Sequence, residues 1–422
     1  MEQLLHYVWK HKLFPLKELR TTTGLSVEVI DVGLSNQDAG PDFFNAKIKI
    51  DGTLWVGNVE IHTFASDWLH HEHNKNKVYD SVILHVVEQA DEEIRRTNGE
   101  LIPQMVLNCP DTIRHNFEQL SRTDSYPCCH SIIKQLPPLI LNSWLSALQY
   151  ERFEQKASLL LKRLEKCDGN WEDAFFVTLA RNFGFGLNGD AFEQWINLVP
   201  LRAVDKHRDN LFQVEAIFFG QAGLLEEEIA DEYYRLLQKE FAYLRHKFEL
   251  KVMDASLWRF LRLRPGNFPH VRIAQLAYLY HSERSLLSRV MEAGTTKEIG
   301  NILHSRTSTY WETHYQFYHS SPQRVKSLSA SSLNLIIINT VVPFLYTYGQ
   351  HKGEERFYAR AQEWLEMLKA ENNYVTRMWN EMGLKVTNAG DSQAVLQLKK
   401  EYCDKRKCLY CRIGFEYLKG IK

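Results

Sequence analysis

The sequence has almost no net charge. Its 51 Lys and Arg residues offset 52 Asp and Glu, leaving a formal charge of -1. No global basic field is available, so any nucleic-acid binding must come from a local patch. No secretory leader is expected either: Met1 is followed by Glu2 and Gln3, with no basic segment and no apolar run behind it. The longest apolar run, Leu333 to Tyr348, is broken by Asn334, Asn339 and Pro343. It falls short of the roughly 20 residues of a bilayer span, so a buried helix is predicted there and no membrane association. Cysteine is scarce, with 7 residues in 422, three of them clustered near the end of the chain. That is not the pattern of a secreted disulfide framework, and a cytoplasmic setting is expected. Internal repeats and low-complexity tracts are missing as well.

What is present divides into two parts. MEQLLHYVWKHKLF has helical spacing at Leu4, Leu5, Val8, Trp9 and Leu13. LSVEVIDVG, FNAKIKIDG and TLWVGNVEIH then alternate as strands, with Asp51-Gly52 as a hairpin turn. Ser66-Asp67 opens a polar segment suited to a helix start, and VILHVVE, from Val82 to Glu88, reads as a buried central strand. ELIPQMVL offers a last strand. From about Ser131 onward helical patterns dominate, as in LILNSWLSALQYERFEQKASLLLKRL and EERFYARAQEWLEMLKA. The prediction is an α/β domain over residues 1–125, ordered helix-strand-strand-strand-helix-strand around a mixed sheet. A mostly α-helical domain over 126–422 follows, ending in the cysteine motif 403–411.

The stretch GPDFFNAKIKIDGTLWVGNVEIH carries the first candidate site. Side chains alternate along a strand, so Glu60 and His62 share a face. The Asp51-Gly52 hairpin folds the Asp42 strand back beside them, bringing Asp42 and Glu60 to one end of the sheet. Two neighbouring carboxylates repel unless a cation lies between them. Hard oxygen ligands of this kind suit Mg²⁺ or Mn²⁺. The alternative is a solvated strand face.

Pro41-Asp42, the hairpin, and Glu60-Ile61-His62 together resemble the signature of the PD-(D/E)XK phosphodiesterase superfamily, and the element order of residues 4–88 resembles its core. The resemblance implies that Asp42 and Glu60 hold a metal. In that superfamily a Lys two residues after the Glu positions or activates the water; here His62 occupies that place. Through GPDF, GNVEIH, SDWLHHEH and VILHVV the whole chain also resembles a bacterial family catalogued as domain of unknown function 2851, which implies no particular chemistry.

Histidine is concentrated near the same stretch. His62, His70, His71, His73 and His85 fall between positions 62 and 85, where an even spread of the chain's 17 would place about one. On a helix, His70 and His73 would share a face. His85, inside an apolar run, is open to three roles: a second ligand, a general base, or a contact to a scissile phosphate. A satisfied core histidine is its bland alternative, and a polar loop is that of residues 70–73. A zinc hydrolase using His62, His70 or His73 with Glu60 is the chemical rival, although no HExxH spacing accompanies it.

EYCDKRKCLYCRIGFEYLKG places Cys403, Cys408 and Cys411 as C-x4-C-x2-C. Three close thiols read as metal ligands for zinc or an iron–sulfur cluster, with Cys128, Cys129, His130 or Cys109 as a fourth; reduced, unligated thiols are the alternative. Two motifs are set aside. Gly184 to Gly189 fits G-x-G-x-x-G, but a helix precedes it where a dinucleotide site needs a strand. Arg259, Arg262, Arg264 and Arg272 with interleaved aromatics read better as a salt-bridged helix end than as a phosphate track.

The expected function is Mg²⁺- or Mn²⁺-dependent phosphodiester hydrolysis, with DNA as substrate. Asp42 and Glu60 would hold the ion, and His62, with His85 nearby, would orient or deprotonate the water. A non-catalytic nucleic-acid or protein-binding module on a degenerate nuclease core, and a metal hydrolase of a small molecule, are the alternatives.

Overall fold

The computed structural model describes residues 2–36, 38–123 and 126–420. The chain divides into two compact units, one of Met1–Trp144, Met382–Leu384 and Leu398–Lys422, the other of Leu145–Glu381 and Lys385–Gln397. The cysteine segment, expected with the helical part, lies in the unit that carries the sheet.

In that first unit, helix α1 (Glu2–Lys10) is followed by a six-stranded mixed sheet. Its strands are β1 (Val27–Asp31), β2 (Leu34–Ser35), β3 (Phe43–Ile50), β4 (Thr53–Phe64), β5 (Val82–Gln89) and β6 (Gln104–Val106). They lie in the order β1-β3-β4-β5-β6, with β2 beside β3. The expected mixed sheet followed by a mostly helical region is thus present. Asp51 and Gly52 turn the β3–β4 hairpin with φ of +49° and +80°, the left-handed pair that a two-residue loop needs. β3 alternates buried and exposed residues over much of its length. β4 behaves differently. Leu54, Trp55 and Val56 are exposed, yet Val59, Glu60, Ile61 and His62 are buried in succession. Uninterrupted burial means that both faces are covered. This half of β4 pairs in parallel with β5, Glu60 opposite His85 and His62 opposite Val87, and α1 packs on it.

The crossover from β4 to β5 is mostly not a regular helix. Helix α2 (Asp67–His70) is a single turn, and Glu72 at φ +59° ends it. Two tight 3₁₀ turns, His73–Lys75 and Lys77–Ser81, lead into β5. Trp68 anchors the crossover, buried against Val82, Ile94 and Ile102. Gly57 marks where β4 meets the start of β5. A Cβ there would lie 2.3 Å from Ile83 Cγ2 and 2.9 Å from the Ser81 carbonyl oxygen.

The second unit is mostly helical around an aromatic-rich core that includes Phe176, Trp195, Phe218, Trp311 and Phe344. The run Ala330–Lys352 is long and apolar enough by length and composition to cross a membrane, and 61% of its apolar window is buried within the protein. Gly184 to Gly189 joins the helices Trp171–Phe183 and Gly189–Ile196, the plain turn expected for it. Arg272 is not at a solvated helix end. It is buried, stacks over Phe185, and donates to Gln275 and Asn267.

Glu215 is fully buried in this core and accepts a hydrogen bond from Tyr233 Oη. Burial, the largest influence, pushes its carboxyl up to about 7. The folded state therefore holds this proton more tightly than the unfolded chain does. Stability from this group is complete below the ordinary carboxyl range and is lost as pH rises through about 7.

Two outcomes follow from these contacts. Gly57→Ala should destabilise the sheet unit by about 1–3 kcal/mol in denaturant unfolding, because the new methyl must displace Ile83; a change within error would show that β4 and β5 can part freely here. Glu215→Gln should flatten the pH dependence between pH about 5 and 8 and be more stable than wild type above neutrality, by on the order of 3 kcal/mol. Parallel pH curves for the two proteins would refute this.

Candidate metal centre

The centre begins with a reciprocal backbone clasp. The Asp42 N–H donates to Glu60 Oε2 at 3.1 Å, and the Ile61 N–H donates to Asp42 Oδ2 at 2.9 Å. Asp42 stands one residue before β3, where Phe43 pairs with Val59, so the hairpin register sets this clasp. It brings the two carboxylates together, as the spacing predicts. His6 of α1 joins from the other side, its Nε2 3.3 Å from Asp42 Oδ2. Burial alone would lower the His6 pKa, but the hydrogen bond and charge of Asp42 outweigh it and the net effect is upward.

Glu60 is 4% exposed. Burial and the nearby Asp42 charge both raise its pKa. Its other oxygen, Oε1, faces imidazoles: His73 Nε2 at 3.3 Å and His62 Nε2 at 3.6 Å. His62 is 2% exposed and is hydrogen-bonded at both ring nitrogens, Nδ1 to His85 Nε2 at 2.9 Å and Nε2 to His71 Nδ1 at 3.2 Å. Burial, aided by His73 and His71, lowers its pKa to about 4, so the ring is neutral near pH 7. His85 is fully buried behind it, held well below its usual pKa by burial and by His62. His73 stacks on Tyr79, ring centroids 3.7 Å apart, and on His62 at 5.4 Å.

His62, His71 and His73 offer ring nitrogens that all lie within 4.8 Å of one another. The ligand set is therefore richer in imidazole than the two carboxylates suggest. His71 was not among the expected ligands, and His70 is not part of the cluster. Its side chain is 72% exposed and lies 3.5 Å from Asp67. The helical spacing that would pair His70 with His73 fails because Glu72 breaks the helix after one turn and swings His73 inward. His6 was missed altogether. Its only sequence signal is a polar residue among the buried positions of α1.

Imidazoles and a carboxylate fit a divalent ion of intermediate softness. Their crowding, with one carboxylate and three rings facing one another, is what an added positive charge would relieve.

The cysteines stand apart from this centre. Cys403, Cys408 and Cys411 flank a tight turn at Cys408–Tyr410, and Cys411 precedes the helix Arg412–Lys419. Cys129 is their electrostatic neighbour. Cys109 instead neighbours Arg114, Glu88 and Asp111, and His130 is exposed.

No curated protein and no solved structure matches this chain. Over residues 2–374 it matches the model of a family described as "Protein of unknown function (DUF2851)". The chain belongs to that DUF2851 family.

Proposed function

We propose that the centre between β3, β4 and the crossover is a metal site for hydrolysis of phosphodiester bonds. The observation that carries this reading is the Asp42–Glu60 clasp opening onto His62, His71 and His73. An acidic pair at the end of a mixed sheet, with β4 and β5 parallel, also fits the resemblance to the PD-(D/E)XK superfamily. Glu60 Oε1, His62 Nε2, His71 Nδ1 and His73 Nε2 would hold the ion. Imidazole donors favour Mn²⁺ or Zn²⁺ over Mg²⁺. Bound there, such an ion lowers the pKa of a water and offsets charge on a phosphoryl oxygen.

The protein's own groups then divide the remaining work. His62 is too enclosed to exchange protons with solvent, so it serves as a ligand rather than the base. His85 accepts from His62 Nδ1–H, which leaves the Nε2 lone pair free for the ion. Asp42 and His6 are partly exposed at the same carboxylate, and they are placed to take the proton from the attacking water and hold it.

Metal binding is tested first. Mn²⁺ or Zn²⁺ at 100 times its Kd should stabilise the wild type by about 2.7 kcal/mol, seen as a raised melting temperature. His73→Ala should lose the shift and His70→Ala should keep it. An equal shift in both variants would remove the centre from consideration.

Activity is tested next, with labelled single- and double-stranded DNA and RNA and with bis(p-nitrophenyl) phosphate. Asp42→Ala and Glu60→Ala, once shown to be folded, should abolish cleavage. His85→Ala should lower it by about 10–100-fold, as expected of a residue that orients a ligand. Turnover of the small ester alone would point to a small-molecule substrate. Metal binding with no turnover of any substrate would point to a binding module.

A further inference from the structure

Two sequence motifs that the metal centre leaves unused meet in the helical unit. The turn Gly184 to Gly189 lies against the arginine segment 259–272. Asn188 clamps the two together: its Nδ2 donates to the Arg259 carbonyl, and the Arg259 N–H donates to its Oδ1, both at 2.9 Å. The Arg272 guanidinium lies over the Phe185 ring, 4.4 Å from its centroid. The third side is the serine-rich start of the continuous helix Ala330–Lys352, where Arg272 reaches Ser332 Oγ at 3.4 Å.

Arg272 is a charge without a counter-charge. It is 5% exposed, and its acceptors are the neutral oxygens of Gln275, Asn267 and Ser332. Its Nε–H is buried with no acceptor. Burial lowers its pKa only to about 10, so the guanidinium stays charged at neutral pH, and no carboxylate offsets it. A buried charge held by neutral dipoles alone is costly, and an anion would relieve it. Arg259, Arg262 and Arg264 are exposed on the loop that leads to it. Among the described residues, none of them is ion-paired with a carboxylate, so the salt-bridged helix end expected here is absent. The sequence accounts for this: no Asp or Glu occurs from Ala255 to Ser282, nor from Thr313 to Gly353. Asp190, just past the glycine turn, is taken by Arg181 at 2.7 Å.

The surroundings suit an oxyanion. Ser329 caps the helix by accepting the Ser332 N–H at 3.1 Å, and its hydroxyl lies 3.0 Å from those of both Ser331 and Ser332. Hydroxyls at the start of a long helix, beside a guanidinium, are the donors that a phosphate takes. Asn267, which shares the guanidinium, sits on the exposed turn Pro265–Asn267. Gly186 and Gly266 face open space, with no atom within 4 Å of where a Cβ would stand. Three further arginines within six residues exceed what one phosphate needs. They match the repeated charge of a phosphodiester backbone.

We propose that Arg272, Ser332 and the helix start at Ala330 hold one phosphate of a polynucleotide strand, and that Arg259, Arg262 and Arg264 hold its neighbouring phosphates. No bond is made or broken at this site. It grips a backbone, and it stands independently of the hydrolytic reading of the metal centre. A compound with a single phosphate would occupy Arg272 and leave the three exposed arginines without a role.

The test measures binding by the full chain in EDTA, so that neither metal nor cleavage contributes. Fluorescence anisotropy is read with short labelled single-stranded DNA and RNA and a DNA duplex over a range of salt. The wild type should bind, and binding should weaken as salt rises. Arg262→Ala and Arg264→Ala should each weaken it by about 3–10-fold and lower the salt slope by about 1. Arg272→Gln should cost about tenfold or more. Arg356→Ala, an exposed arginine paired with Glu354, should leave binding unchanged. Should Arg272→Gln fail to fold, the two exposed variants decide. Equal binding by wild type, Arg262→Ala and Arg264→Ala, or no binding of any strand, would overturn the site. Stabilisation by inorganic phosphate with no strand bound would overturn the polynucleotide as its occupant. Arginine-dependent binding without cleavage in Mn²⁺ would refute the hydrolytic reading and support this one.

Discussion

The parallel pairing of β4 with β5 is the constraint on which the candidate centre depends. It buries Glu60, His62 and His85 in one interior that neither face of the sheet relieves with solvent. Burying an isolated carboxylate costs several kcal/mol, and imidazoles packed against one another cannot share a charge. The chain answers with neutral rings and a proton-seeking Glu60. Such an arrangement is costly as pure scaffolding, since apolar side chains of similar volume would fill the same space. It becomes economical when a cation occupies it, because one ion satisfies the carboxylate and the ring lone pairs together.

The clasp between Asp42 and Glu60 adds precision to that interior. Each carboxylate takes one backbone N–H from the other's strand, so each is fixed by main chain rather than by a mobile side chain. Geometry held this way persists through rotamer motion, which a ligand set needs if it is to stand ready before its ion arrives.

Much of this was legible in the sequence because it is local. Strand alternation, the Asp51-Gly52 turn and the shared face of Glu60 and His62 follow from a period of two and from φ preferences. The exchange of His71 for His70 was not legible. It hangs on one left-handed residue, Glu72, that is not a glycine and gives no warning. His6 was hidden for another reason. Its meeting with Asp42 is a tertiary contact between α1 and the hairpin, and no spacing encodes it. Cysteine spacing singled out Cys403, Cys408 and Cys411, but the contacts that hold Tyr126 and Ser121 against that segment are long-range, and no spacing encodes them.

Helix α1 packs between the candidate centre and the C-terminal helix Arg412–Lys419. One face presents His6 to Asp42. Another presents Tyr7 to Phe415, in the helix that starts directly after Cys411, and His11, just past the end of α1, packs on the same ring; the centroids are 6.2 and 5.1 Å from that of Phe415. A helix of nine residues is too short to hold its place by its own hydrogen bonds, so its position is set by what it packs against. Leu4, Leu5, Val8 and Trp9 fix it on the sheet side. Phe415 packs on the other, its own N–H donating to the Cys411 carbonyl at 2.8 Å.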